Sequence, residues 1–137
     1  LTRALVPRLR GGSVLFIGSD SATRARQGWG AYCASKAAAA MLRECLRAEM
    51  EPLGIVVGIA KPGAVDTQLL RNARDAGEEV FPDASEIRSL YEQGSVASSE
   101  EAAAFLAYLL LDVEASEFSG REWDRRADGV RVRGARG

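Results

Sequence analysis

Three residues of this chain, Ser19, Tyr32 and Lys36, have types and spacing suited to moving a proton. Tyr32 and Lys36 are four apart, so on a helix they share one face. A phenol has a pKa of about 10 and is a poor base near neutral pH. An ammonium beside a phenol favours the phenolate, and a phenol drawn toward neutrality becomes a useful proton donor and acceptor. A serine hydroxyl held next to that pair can hydrogen-bond a substrate oxygen. Each residue also has a plainer reading. A tyrosine and a lysine at this spacing form an ordinary helix-surface pair. Ser19 suits a turn or a helix N-cap, Pro62-Gly63 a turn, and Asp66 and Thr67 the cap of a following helix.

Positioning these groups falls to an alternating series of helices and strands. Residues 1–10 read as a helix stopped by Gly11-Gly12, with Leu1, Leu5 and Leu9 on one face. Ser13–Ile17 (SVLFI) is a short apolar run and reads as a buried strand. Residues 18–30 are a loop rich in Gly, Ser and Arg. Residues 32–50 form the strongest helix, with Ala38, Met41, Leu42, Cys45, Leu46 and Met50 at helical spacing. Pro52 and Gly54 end it, and residues 54–60 (GIVVGIA) read as a second buried strand closed by Lys61-Pro62-Gly63. Short helices are expected near residues 68–76 and 86–91. Ser98 and Glu101 form a capping box before a helix reaching about residue 111. Residues 120–124 suggest a third strand, and residues 125–137, with five arginines, a flexible tail.

This order predicts an α/β layered fold with a parallel sheet, its first two strands joined by a right-handed crossover through the long helix. In open parallel sheets ligands bind beyond the carboxyl ends of the strands. That rule gathers Ser19, Tyr32, Lys36 and Pro62-Gly63 at one edge.

Composition removes several other chemistries. The 137 residues contain no histidine, which excludes a Ser-His-Asp or Cys-His scheme and any His-ligated metal within this chain. The two cysteines, Cys33 and Cys45, form no CxxC pair and read as small core residues, so no metal site and no disulfide framework is expected. That cysteine usage points to a cytoplasmic setting. A net charge of −1 gives no general attraction to nucleic acid or anionic lipid, despite the terminal arginines. The apolar run nearest to a membrane span, residues 102–111, is far too short for one.

Gly18-Ser19, then Tyr32-Cys33-Ala34-Ser35-Lys36, then Lys61-Pro62-Gly63-Ala64-Val65-Asp66-Thr67 together resemble the short-chain dehydrogenase/reductase family over about residues 1–124. The stretch Gly28-Trp29-Gly30-Ala31-Tyr32-Cys33 and residues 62–71 look most like its sepiapterin reductase and benzil reductase branch. The resemblance implies hydride transfer between NAD(P)H, with NADP slightly favoured, and a small carbonyl or alcohol substrate. In it Tyr32 is the general acid/base. Lys36 tunes Tyr32 and hydrogen-bonds the nicotinamide ribose, and Ser19 polarises the carbonyl. Pro62, Gly63, Val65 and Thr67 contact the nicotinamide end of the cofactor, and residues 68–95 form a substrate loop. A homo-oligomer built by helix packing is also implied. Trp29, Phe81 and Tyr91 suggest an apolar or aromatic substrate.

The family's Gly-x-x-x-Gly-x-Gly turn, which binds the pyrophosphate, has no counterpart in these residues. The chain therefore reads as the C-terminal half of one Rossmann-type domain, its three strands the last three of a doubly wound sheet. The N-terminal cofactor-binding half is then absent, and the isolated chain is expected to be inactive. The competing expectation is an inactive fragment acting at most as an interaction module.

Overall fold

The computed structural model describes residues 2–128. Its centre is a three-stranded parallel sheet in the order β1 (Ser13–Ile17), β2 (Val56–Lys61), β3 (Glu122–Asp124). The register sets Val14 opposite Val57, Phe16 opposite Ile59, and Ala60 opposite Trp123. Between β1 and β2 runs α2 (Gly30–Met50), preceded by a single 3₁₀ turn at Asp20–Ala22. Before β1 lies α1 (Thr2–Leu9), whose end is turned by Gly11 at φ 74°. After β2 come α3 (Gln68–Asp75), α4 (Ala84–Glu92), α5 (Ser99–Leu111) and α6 (Ala115–Gly120).

Both faces of the sheet are covered, which is why its strands are continuously apolar rather than alternating. On one face Leu46 and Met50 of α2 pack with Ile55 and Val57, joined by Val6, Leu9, Val14 and Phe16. On the other, Phe105 and Leu109 of α5 and Phe118 of α6 enclose Ala60 and Trp123. The Ser98–Glu101 capping box is formed in both directions: Glu101 N donates to Ser98 Oγ (3.1 Å), and Ser98 N donates to Glu101 Oε2 (2.7 Å).

The structure corrects the face of α2. Met41 and Leu42 are 65% and 51% exposed, and Cys45 is also exposed. Leu46 and Met50 of the expected face are buried, and the residue that joins them is Arg43, only 5% exposed. Arg43 turns inward because its Nη2 donates to the Ser119 carbonyl (2.7 Å) at the end of α6, where a cation is favoured. Neither cysteine is a core residue, since Cys33 is only half-buried. Helix α6 was not expected from the sequence: its one large apolar residue, Phe118, gives no periodic signal, yet it is buried to 1% exposure.

A short helix, α7 (Arg125–Asp128), follows β3. It corrects the start of the expected flexible tail, because Arg125 Nε donates to the Pro62 carbonyl (2.8 Å) and anchors this turn to the sheet. Residues 129–137 of that tail lie outside the described residues.

Gly58 is required by packing. A Cβ there would lie 2.5 Å from Phe118 Cζ, inside a filled core. Gly58→Ala is expected to destabilise the fold by about 1–3 kcal/mol, read as a lower midpoint in urea unfolding. An unchanged midpoint would mean that Phe118 does not press on β2.

Candidate active site

The end of β1 carries the first part of the site. Gly18 N donates to the Ala60 carbonyl (2.8 Å), holding the departing chain against β2. A Cβ at Gly18 would lie 3.1 Å from Ile59 Cγ1, so this position favours glycine and the first hydroxyl falls at Ser19. Ser19 has extended backbone and caps the 3₁₀ turn, its Oγ accepting from Ser21 N (3.2 Å). The capping reading of Ser19 therefore holds. Because Oγ is the acceptor in that bond, its own O–H remains a donor.

Helix α2 brings the other two groups to the same place. Lys36 Nζ donates to the carbonyl of Ile17 (3.0 Å), the last residue of β1. The same ammonium lies 5.6 Å from the centroid of the Tyr32 ring. An ammonium has three donors, so two remain beyond the Ile17 bond. Tyr32 is half-buried against Trp29, ring centroids 4.9 Å apart in edge-to-face geometry. Trp29 in turn meets Phe81 edge-to-face at 5.1 Å. Gly28, at φ 81°, allows this approach, since a Cβ there would lie 3.1 Å from Phe81 Cδ2. Arg26 ties the same loop to the segment around α4 through Asp83 (3.0 Å) and Glu86 (3.3 Å).

Pro62 and Gly63 sit at the end of the neighbouring strand β2, where Gly63 adopts φ 81° to turn the chain. Val65 and Thr67 lie further on. Val65 pairs with Ala97 in an isolated parallel bridge. Thr67 caps α3, its Oγ1 accepting from Leu70 N (3.3 Å), which again bears out the capping reading while leaving its O–H to donate. Ser19, Tyr32 and Lys36 thus gather at the end of β1, and Pro62-Gly63 stands beside them. Tyr91 does not join the aromatic pair. Its hydroxyl donates to Asp66 Oδ1 (2.7 Å), and the Arg74 guanidinium lies 4.6 Å from its ring centroid.

Sequence reasoning missed a charged network at this strand edge. Asp20 receives Lys61 (3.4 Å) and Arg126 (2.6 Å), Lys61 also pairs with Glu122 (2.9 Å), and Arg126 with Asp124 (2.7 Å). The only hints were adjacencies: Asp20 follows Ser19, and Lys61 precedes Pro62. The Arg126 guanidinium holds the carboxyls of both Asp20 and Asp124 below their usual range, against the effect of partial burial. Burial pulls Lys61 down, but its bonds to Glu122 and Asp20 leave it raised. Carboxylates depressed by folding stabilise the native state above their ordinary pKa of about 3.9, and that contribution disappears as pH falls through their lowered values. Thermal melts should therefore drop below about pH 4, and Asp20→Asn should blunt the drop. An identical acid profile in the variant would show that the network contributes nothing to stability.

Among the described residues no group of histidine, cysteine or acidic side chains could hold a metal ion, and no helix is long and apolar enough to cross a membrane.

The model of the short chain dehydrogenase family matches residues 1–78, more than half of the chain. The chain belongs to the short-chain dehydrogenase/reductase family. The vibriobactin-specific 2,3-dihydro-2,3-dihydroxybenzoate dehydrogenase of Vibrio cholerae is 33% identical over 105 residues, covering 74% of this chain and 40% of that protein. The benzil reductase ((S)-benzoin forming) of Bacillus cereus is 33% identical over 107 residues, covering 77% of this chain and 42% of that enzyme. The crystal structure of the KRED1-Pglu enzyme superposes with a TM-score of 0.78 at 32% identity, covering 89% of this chain and 52% of that one. The chain thus spans about half the length of these relatives. Its sheet and flanking helices are part of their Rossmann-type fold.

Proposed function

We propose that this short-chain dehydrogenase/reductase chain carries the proton-relay half of an NAD(P)-dependent carbonyl reductase or alcohol dehydrogenase. The observation that carries the reading is the Lys36 ammonium, bound to the last carbonyl of β1 and 5.6 Å from the Tyr32 ring. That bond fixes the base of the Tyr32 face next to the turn that begins at Ser19.

The residues present fit the nicotinamide-riboside end of the cofactor. Lys36 keeps two N–H donors for ribose hydroxyls, and Thr67 keeps its O–H for a carboxamide or phosphate oxygen. Pro62, Gly63 and Val65 supply the surface for the ring. The nicotinamide nucleotide, when bound, supplies or accepts the hydride. In the reduction direction Ser19 donates a hydrogen bond to the substrate oxygen and orients the carbonyl. Tyr32 delivers the proton to that oxygen, and Lys36 stabilises the phenolate that remains. In oxidation Tyr32 takes the proton back. Trp29 and Phe81 form an aromatic wall beside Tyr32 and favour a substrate with a flat apolar group next to its carbonyl.

The pyrophosphate end has no Gly-x-x-x-Gly-x-Gly turn among the 137 residues. Titrated alone, these residues should bind NADPH or NADH more weakly than micromolar by cofactor fluorescence. Supplied with a nucleotide-binding segment, they should oxidise the cofactor only when an aromatic ketone is present. Micromolar binding by the 137 residues alone would overturn the division of labour, and carbonyl-independent oxidation would overturn the function.

A cytoplasmic homo-oligomer is part of the same proposal. The exposed Met41 and Leu42 on α2 are what favours helix-to-helix association, and they also support the second reading, an interaction module. Catalysis in the supplied enzyme separates the two.

A further inference from the structure

The carboxyl end of each of the three strands leads into a separate piece of chain, and one network of charges crosses all three. After β1 comes Ser19 with Asp20, after β2 comes Pro62-Gly63, and after β3 comes Arg125 with Arg126. Arg126 Nη2 bonds Asp20 Oδ2 (2.6 Å) and Asp124 Oδ2 (2.7 Å), spanning the β3 and β1 ends. Lys61 reaches from the β2 end to Asp20 on one side and Glu122 on the other. Arg125 Nε closes the set on the Pro62 carbonyl.

We propose that Arg126 and Lys61, acting through Asp20, are positioning residues that hold the Ser19 turn in register with the Pro62-Gly63 turn. The proposal deepens the catalytic reading above and rests on it for its effect on rate. Its physical basis is the shape of the turn. The carbonyl of Asp20 accepts from Thr23 N (3.1 Å) and Arg24 N (2.9 Å), while the Ser19 carbonyl accepts from Ala22 N (3.0 Å). A carboxylate fixed by two cations therefore anchors the residue on which the turn closes, and Ser19 Oγ is one residue away. Isolated surface ion pairs contribute little, but a shared carboxylate in a network has less freedom to move. Misplacing a reactive contact by about 1 Å can cost about a hundredfold in rate.

The test compares Arg126→Ala with Arg126→Lys by two readouts. The first is amide hydrogen exchange in the 137-residue chain. Arg126→Ala should speed exchange at Ala22, Thr23 and Arg24 and leave Val57 and Ile59 in β2 unchanged, and Arg126→Lys should restore part of the protection. The second is steady-state kinetics in the cofactor-binding form, where Arg126→Ala should lower kcat about tenfold to a hundredfold with KM for cofactor nearly constant. Unchanged exchange at residues 22–24, or equal acceleration throughout the sheet, overturns the positioning role. A local exchange response in a protein whose wild type reduces no carbonyl supports the clamp and removes the catalytic reading instead.

Discussion

Tyr32→Phe should lower the rate of carbonyl reduction by about 10²- to 10⁴-fold and leave cofactor affinity and fold in place. The substitution removes one oxygen. It retains the ring, and with it the edge-to-face contact to Trp29 at 4.9 Å that seats this residue on α2. What it removes is the O–H that carries the proton to the substrate oxygen. The loss should therefore appear in kcat, with melting temperature and KM for the nicotinamide nucleotide close to those of the wild type. A variant within about twofold of the wild-type rate would assign the proton transfer to another group.

Lys36→Met should act on two levels. Its Nζ donates to the Ile17 carbonyl (3.0 Å), and because that bond is open to solvent its loss should cost only about 0.5–1.5 kcal/mol. The same change removes the positive charge 5.6 Å from the Tyr32 ring. Loss of the cation that the proposed relay uses to stabilise the phenolate should lower kcat by about tenfold to a hundredfold. Lys36→Arg, which keeps a cation on the Tyr32 face, should recover part of the Lys36→Met loss in rate. Stability is read by thermal unfolding and rate by kcat. A Lys36→Met variant that is destabilised but keeps its kcat would show that Lys36 serves structure alone.

The parts of the molecule visible in the sequence are those whose cause is local. β1 and β2 are short runs of Val, Ile, Leu and Phe between glycine-rich breaks, and they formed where that pattern placed them. The capping box at Ser98 and Glu101 is likewise a short-range device and is present as expected. The gathering of Ser19, Tyr32, Lys36 and Pro62-Gly63 followed from strand direction and helical spacing, both of which a sequence encodes. The inward face of α2 was legible at Leu46 and Met50 and misread at Met41, Leu42 and Cys45, because a long helix with apolar residues on more than one side does not say which side is covered. Arg43 lies inward through a carbonyl 76 residues away, at Ser119, which no periodicity reports. The Asp20, Lys61 and Arg126 network was hidden for the same reason. Its partners are separated by up to 106 residues, and arginines near a chain end look like a solvated tail until the third strand brings them to the site.

The most direct test of the Tyr32 proton relay is a stoichiometric one. The protein, supplied with its nucleotide-binding segment, NADPH and an aromatic ketone, is assayed for cofactor consumed and alcohol formed. One alcohol per cofactor oxidised is expected in the wild type and almost none in Tyr32→Phe. Alcohol formed equally well without Tyr32, or no alcohol from a correctly folded, cofactor-bound wild type, would contradict a proton relay through Tyr32.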